Sequence, residues 1–261
     1  MKLSSANINV LVKVCRKAAK ILIRDFGEIE KLQVSLKGPG DFVTASDKKV
    51  EKIIIEELLQ ARPNYSVLSE EIGEIKNDEE FKWIIDPIDG TANFLHGIPH
   101  FAISIGLEHN GEIICGIVYD PIKDEMFIAE KGNGSYLNNQ RMRVSARPKL
   151  KDCIIFTGGP KQDSKNKDIT LQEYKKISSE VAIPIRKMGS ASLDMAYVAS
   201  GRCDGFWQRN LNYWDIAAGI ILVKESGGFI TDFSGENRYI QNKTILVTNS
   251  KINKEMIELL K

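Results

Sequence analysis

Charge of one sign is what this sequence most plainly lacks: 36 Lys and Arg stand against 35 Asp and Glu over 261 residues, a formal net charge of +1. A protein that holds nucleic acid mainly by charge needs a basic stripe to displace counterions, and this balance argues against such a partner. Cysteine is sparse: Cys15, Cys115, Cys153 and Cys203 lie far apart, and no two have C-x-x-C spacing. Disulfide frameworks belong to short secreted chains, so these four read as buried, reduced thiols of a cytoplasmic protein. No apolar run approaches the ~18 residues of a membrane span. Lys13, Arg16, Lys17 and Lys20 interrupt any apolar stretch a signal peptide would need. Internal repeats and low-complexity tracts are absent as well. These gaps exclude a membrane partner and leave a soluble, cytoplasmic protein as the expectation.

What is present suits a packed core. The chain is 43% hydrophobic and 27% charged, and its length corresponds to one large domain or two small ones around a cleft. Leu11, Val14, Ala18, Ile21 and Leu22 recur at three-to-four spacing, which predicts an amphipathic helix over about residues 6–26. After the break Gly38-Pro39-Gly40, a second helix is expected from Ser46 as N-cap, through Ile53, Ile54 and Leu58, stopping before Pro63. Ser66-Val67-Leu68 and Trp83-Ile84-Ile85 read as buried strands that each end in acidic residues. From Phe101 to Val144, short alternating strands with turn signals at Asn110-Gly111 and Asn133-Gly134 read as an antiparallel meander.

The last third alternates: a strand near Ile154, helices near 170–180 and 190–200, and a strand at Gly205-Phe206-Trp207. A helix from about Asp215 to Ser226, a strand after Gly227-Gly228 and a terminal helix complete it. Lys161–Lys167 reads as a polar loop. The sum is a mixed α/β fold of α+β character, with helices packed on sheets.

The acids gather in places. In Trp83-Ile84-Ile85-Asp86-Pro87-Ile88-Asp89-Gly90-Thr91 an apolar strand emerges into two carboxylates three residues apart. Carboxylate and carbonyl oxygens are the preferred ligands of Mg²⁺, which usually completes its octahedron with phosphate oxygens. The amides of Gly90 and Thr91 open the next turn and could receive a phosphate. A polar turn after a strand explains the same residues. Glu70-Glu71 after the preceding strand also reads as an exposed acidic turn, and Asp47 and Asp215 as acids favoured at helix starts.

Taken together these segments resemble the inositol monophosphatase family of Mg²⁺-dependent, lithium-sensitive sugar-phosphate phosphatases. Asp86-Pro87-Ile88-Asp89-Gly90-Thr91, with Asn93-Phe94 beyond it, is similar to the family's first signature. Trp214-Asp215-Ile216-Ala217-Ala218-Gly219, followed by Glu225-Ser226-Gly227-Gly228, is similar to the second. Gly38 to Asp47, with Asp41, Val43 and Thr44 in place, resembles the family's opening segment, and Gly116 to Pro121 with Asp124 to Phe127 follows its meander. The resemblance implies a layered αβαβα sandwich with a large, antiparallel-rich sheet and a second, smaller sheet. It implies one domain over 1–261, with a metal-binding half of about 1–145 and a substrate half of about 146–261.

The resemblance also implies roles. Glu70, Asp86 and the carbonyl of Ile88 would hold a first Mg²⁺, and Asp86, Asp89 and Asp215 a second. A third, weakly held metal would lie near Glu70, and Mn²⁺ would substitute. Thr91, hydrogen-bonded to Asp47, would orient a water and help deprotonate it, with Glu70 also catalytic. Gly90 and Thr91 amides would meet the phosphate, while Asp89, Ala191, Gln208 and Asp215 would face the rest of the substrate. Five such carboxylates repel one another without cations, so the cluster predicts a metal requirement. A homodimer is the family's habit.

Seven residues before Asp215 many family members carry Glu, and here Gln208 stands. An amide still bonds hydroxyls but lacks the carboxylate's charge, which departs from strict myo-inositol recognition. The expected reaction is hydrolysis of a small sugar or inositol phosphate, inositol-1-phosphate first. Fructose-1,6-bisphosphate, NADP and 3′-phosphoadenosine-5′-phosphate are alternatives, as is a non-catalytic regulatory or binding protein on the same scaffold. Ala92-Asn93-Phe94 after Thr91 fits the inositol-phosphatase side. His96 and His100 have a zinc-pair spacing, but Pro99 between them breaks the helix it needs. Trp207, Tyr213 and Trp214 read as core aromatics.

Overall fold

The computed structural model describes residues 5–28, 34–38, 41–77, 80–159 and 167–261. Most of the Lys161–Lys167 loop lies outside them. Helix α1 (Ala6–Phe26) starts where Ser5 accepts a hydrogen bond from the Ile8 amide at 3.2 Å. It buries Ile8, Leu11, Val14, Ala18 and Leu22, while Ile21 stays half-buried on its shoulder. A hairpin of β1 (Val34–Gly38) and β2 (Asp41–Thr44) leads into α2 (Ala45–Ala61), which ends two residues before Pro63. Ser46 is not the cap the sequence suggested. It lies inside the first turn, and its hydroxyl donates to Asp25 Oδ2 on α1 at 2.7 Å, tying the two helices together.

The large sheet is built from β3 (Ser66–Ser69), β4 (Gly73–Ile75) and β5 (Phe81–Asp89), then, after the short helix α3 (Thr91–Leu95), from the meander. That meander runs β6 (Ala102–His109), β7 (Glu112–Asp120), β8 (Glu125–Glu130), β9 (Gly134–Leu137) and β10 (Gln140–Arg141), ending three residues earlier than expected. The spatial order is β10-β9-β8-β7-β6-β5-β3-β4. Neighbours are antiparallel except β3 and β5, which run parallel with Ser69 beside Ile85. The small sheet takes β11 (Ile155–Thr157), β12 (Gly205–Arg209), β13 (Phe229–Thr231) and β14 (Thr244–Thr248) in the order β11-β12-β14-β13. Helices α4 (Lys167–Glu180), α5 (Ala191–Ala199), α6 (Tyr213–Glu225), α7 (Tyr239–Asn242) and α8 (Asn253–Leu260) complete the chain. Strand β14 and helix α7 were not anticipated.

Five layers result. Trp83 and Ile85 of β5 face α1 and α2, while Ile84 between them faces α5 and α6. A strand buried on both faces must be apolar throughout, which is why it shows no alternation. Helices α5 and α6 lie between the two sheets, and the far side of the small sheet packs Trp207 and Leu246 against Ile177 of α4 and Met256 of α8. The four cysteines are buried and unpaired. Among the described residues no helix is long and apolar enough to cross a membrane.

Small residues let α6 approach the large sheet. A Cβ on Gly116 of β7 would stand 2.9 Å from both Ala218 Cα and Ile221 Cγ2 of α6. The obstructing Ala218 atom is backbone and cannot rotate away. Gly116→Ala is therefore expected to destabilise the protein by about 1–3 kcal/mol, despite the higher strand propensity of alanine. A denaturant midpoint that falls at unchanged slope would show it; an unchanged midpoint would mean α6 is free to shift.

Candidate active site

Two parallel strands end at the same edge of the sheet, and each continues into an acid. Because β3 and β5 pair in parallel, the Glu70 amide donates to Ile85 O at 3.3 Å, and Glu70 emerges beside Asp86. The ladder between β5 and β6 shifts register between Asp86 and Asp89, at Pro87, which has no N–H to give. Asp86 Oδ1 accepts from the Ile88 amide at 3.0 Å inside that irregularity. Asp86 is 2% exposed. Burial first, then the charges of Glu70, Asp89, Asp215 and Asp47, push its carboxyl well above the usual carboxylate range. All five acids singled out in the sequence are therefore neighbours in space.

Asp89 faces the second half of the chain. Its Oδ2 accepts from Ser190 Oγ at 2.6 Å, Ser192 N at 2.7 Å and Ser192 Oγ at 2.5 Å, and its Oδ1 from Ala191 N at 3.3 Å. It thus occupies the amino end of α5, where a carboxylate is favoured. Burial raises its pKa, and these hydrogen bonds partly counter that rise. Asp215 is the third residue of α6, and its Oδ2 accepts from the Asn212 amide at 2.6 Å in a capping box. Both acids combine a structural bond with a place beside Asp86.

Gly90 carries φ 98°, a left-handed conformation, and a Cβ there would stand 3.1 Å from His100 O and 3.3 Å from Gly189 O. This tight turn aims α3. The Thr91 hydroxyl donates to Ile88 O at 2.9 Å, with Asp47 Oδ1 at the edge of reach at 3.5 Å. The expected Thr91–Asp47 contact is thus the longer of two. Ile88 O keeps a second lone pair. Gln208 is half-buried on β12, with its amide packed against the bare Cα of Gly158.

Four residues outside the expected set also shape the site. Glu51 is 1% exposed on α2, one turn beyond Asp47. Its Oε1 accepts from the Ser69 hydroxyl and from the amides of Glu71 and Ile72 at 3.0 and 3.3 Å, holding the turn that carries Glu70. The four-residue spacing from Asp47 was a usable signal. Ser190 and Ser192, the donors to Asp89, flank Ala191 in the loop Gly189-Ser190-Ala191-Ser192, whose likeness to a loop of the family was their signal. Asp194 is 1% exposed with no hydrogen-bond partner on either oxygen, and burial plus the charge of Asp89 holds its carboxyl well above the ordinary range. Of the two histidines with zinc-pair spacing, His96 closes α3 and His100 is buried, its pKa pushed down to about 4 by burial and by Lys123. Trp207 is core; the Tyr213 hydroxyl donates to Glu108 Oε2 at 2.6 Å.

The donor set fits a hard divalent cation: carboxylates of Glu70, Asp86, Asp89 and Asp215 with the Ile88 carbonyl, gathered round a buried carboxyl whose ionisation the neighbouring acids oppose. Among the described residues no three of these groups are closed into a coordination shell.

The sequence matches the inositol monophosphatase family over residues 5–261. The chain belongs to the inositol monophosphatase family. An inositol-1-monophosphatase of Rhizobium meliloti is 51% identical over 257 residues, covering 98% of this chain and 96% of that one. The crystal structure of extragenic suppressor protein suhB from Bartonella henselae superposes with a TM-score of 0.95 at 50% identity, covering 98% and 99% of the two chains. A protein of Pseudomonas aeruginosa called Nus factor SuhB is 38% identical over 255 residues, 96% of this chain and 94% of that one. The family is one of phosphoric monoester hydrolases, and the layered fold expected from it is the fold observed.

For a member of this family, Asp86 predicts an observable conflict between stability and site charge. Its folded pKa lies above its unfolded value, so the native state binds the extra proton and stability falls as pH rises above about 4. Asp86→Asn removes the repelled charge. In chelator-treated protein it is expected to raise the melting temperature at pH 7, by about 2–4 °C per kcal/mol of relieved repulsion, and to have little effect near pH 4. A variant that melts lower at pH 7 would contradict the direction of the shift.

Proposed function

We propose that this chain hydrolyses a small sugar or inositol phosphate monoester, inositol-1-phosphate first among them, in a Mg²⁺-dependent reaction. The observation that carries the reading is Asp86, a buried carboxylate with Glu70, Asp89, Asp215 and Asp47 around it. Bound by these oxygens and Ile88 O, Mg²⁺ (or Mn²⁺) would lower the pKa of a water and offset charge on the phosphate, with two or three ions per site. The amides of Gly90 and Thr91 would receive phosphate oxygens. Thr91, anchored on Ile88 O, would orient the attacking water, and Asp47 would take up its proton with help from Glu70. Asp89, Asp215, Ala191 and Gln208 would face the hydroxyls and leaving oxygen of the substrate. Gln208 can donate as well as accept there, which broadens the sugars that fit.

We read the chain as one domain, because the core between the sheets joins Ile84, Val118 and Phe127 of the first half to Leu193, Ala217 and Ile221 of the second. A cytoplasmic homodimer with lithium sensitivity belongs to the same reading, the location on the strength of the reduced cysteines and the other two by likeness to the family.

A phosphate-release panel with Mg²⁺ tests it, comparing inositol-1-phosphate, fructose-1,6-bisphosphate, NADP and 3′-phosphoadenosine-5′-phosphate. Asp86→Asn is expected to lower turnover at least about 100-fold on the preferred ester, the scale of losing one charge-stabilising group. Wild-type turnover by that variant at saturating Mg²⁺ would refute the assignment. A second reading, a binding protein on this scaffold, is favoured by the name of the Pseudomonas aeruginosa relative. Release from none of the four esters would support it instead.

A further inference from the structure

Four of the five acids (Asp47, Glu70, Asp86 and Asp89) come from the first half of the chain, the Gly189-Ser190-Ala191 loop comes from the second, and Asn93 spans the two. Its Nδ2 donates to His100 O and to Met188 O, each at 2.8 Å. One amide group thus spends both its N–H bonds, one on the segment before β6 and one on the segment before α5. Gly189 follows directly with φ 88°, and a Cβ there would stand 3.0 Å from Asn93 Nδ2 and 3.3 Å from its Oδ1. Gly90 closes the same contact from the other side, 3.3 Å from its ideal Cβ position to Gly189 O. An asparagine suits this position because it presents two donors from one planar group. A serine offers one and an aspartate none.

We propose that Asn93 is a positioning residue that sets specificity: it fixes Met188–Ala191 against the turn Asp89–Thr91, and so governs how the hydroxyl-bearing part of the substrate is held. Bond cleavage draws on the acids and on Gly90 and Thr91, and it depends on Asn93 little because Asp89 keeps its own four hydrogen bonds from Ser190, Ala191 and Ser192 when Asn93 is changed. The kinetic part of this inference rests on the phosphatase reading above. The positional part rests on the two hydrogen bonds alone.

Asn93→Asp keeps the shape and turns the donor into an acceptor that faces two carbonyls. Asn93→Ala removes both bonds without repulsion and serves if the first variant does not fold. Two substrates separate the roles: inositol-1-phosphate, and p-nitrophenyl phosphate, which has no sugar hydroxyls. The variants are expected to raise KM for inositol-1-phosphate about tenfold with kcat within about twofold, and to change kcat/KM for p-nitrophenyl phosphate by less than about threefold. Amide hydrogen exchange should quicken across residues 188–192 and stay unchanged in α1 and α2. Equal losses on both esters, or unchanged exchange at 188–192, would overturn the proposal. If wild-type protein cleaves neither ester, the inositol-phosphate reading fails, and the exchange comparison still decides the positioning.

Discussion

Like charges crowded out of water are the constraint on which the rest of this molecule turns. Asp86 sits almost fully buried among Glu70, Asp89, Asp215 and Asp47, and its carboxyl is correspondingly reluctant to ionise. Such a group is tolerated only where the surrounding fold over-determines its position. The fold does so from several sides. The parallel pairing of β3 with β5 fixes Glu70, the ladder changes register between Asp86 and Asp89, and α2 presents Asp47 with Glu51 one turn later. Destabilising charge and rigid support go together, as expected of a site built to receive a cation and an anionic ester.

The two halves share a broad apolar core, and at the sheet edge a few polar contacts join them. Asp89 gathers four donors at the start of α5, and Asn93 gives both amide hydrogens to the flanking segments. Helix α6 brings Asp215 within range because Gly106 and Gly116 allow its Ala217 and Ala218 to lie against the sheet. Large side chains at those glycines would move the helix outward, and Asp215 with it. Packing between the sheets therefore sets the electrostatics at the sheet edge.

Much of this was legible in the chain. Periodicity marked α1, α2 and the meander nearly to the residue, since their apolar spacing reflects faces that must be buried. Ser46 misled because a hydroxyl beside a helix start usually caps it, whereas here it reaches Asp25 across a helix–helix contact. Glu51 was overlooked although its spacing from Asp47 placed both on one helix face. The loop of Ser190 and Ser192 was legible by its resemblance, but their bonds to Asp89 were not, because that partner lies about a hundred residues away.

The sequence by itself determined the element order, the apolar strand that bears Asp86 and Asp89, and membership in the inositol monophosphatase family. These depend on local spacing and on motifs a few residues long. Only the tertiary structure decided that the five acids meet, that Thr91 leans on Ile88 O more closely than on Asp47, and that Asp89 caps α5. Such contacts form between segments distant in the chain, where strand direction, register and helix packing choose the partner and composition does not. The near-neutral total of charges is the plainest case: it is a sum over the whole chain, and the fold gathers five of its 35 acids where β3 and β5 end.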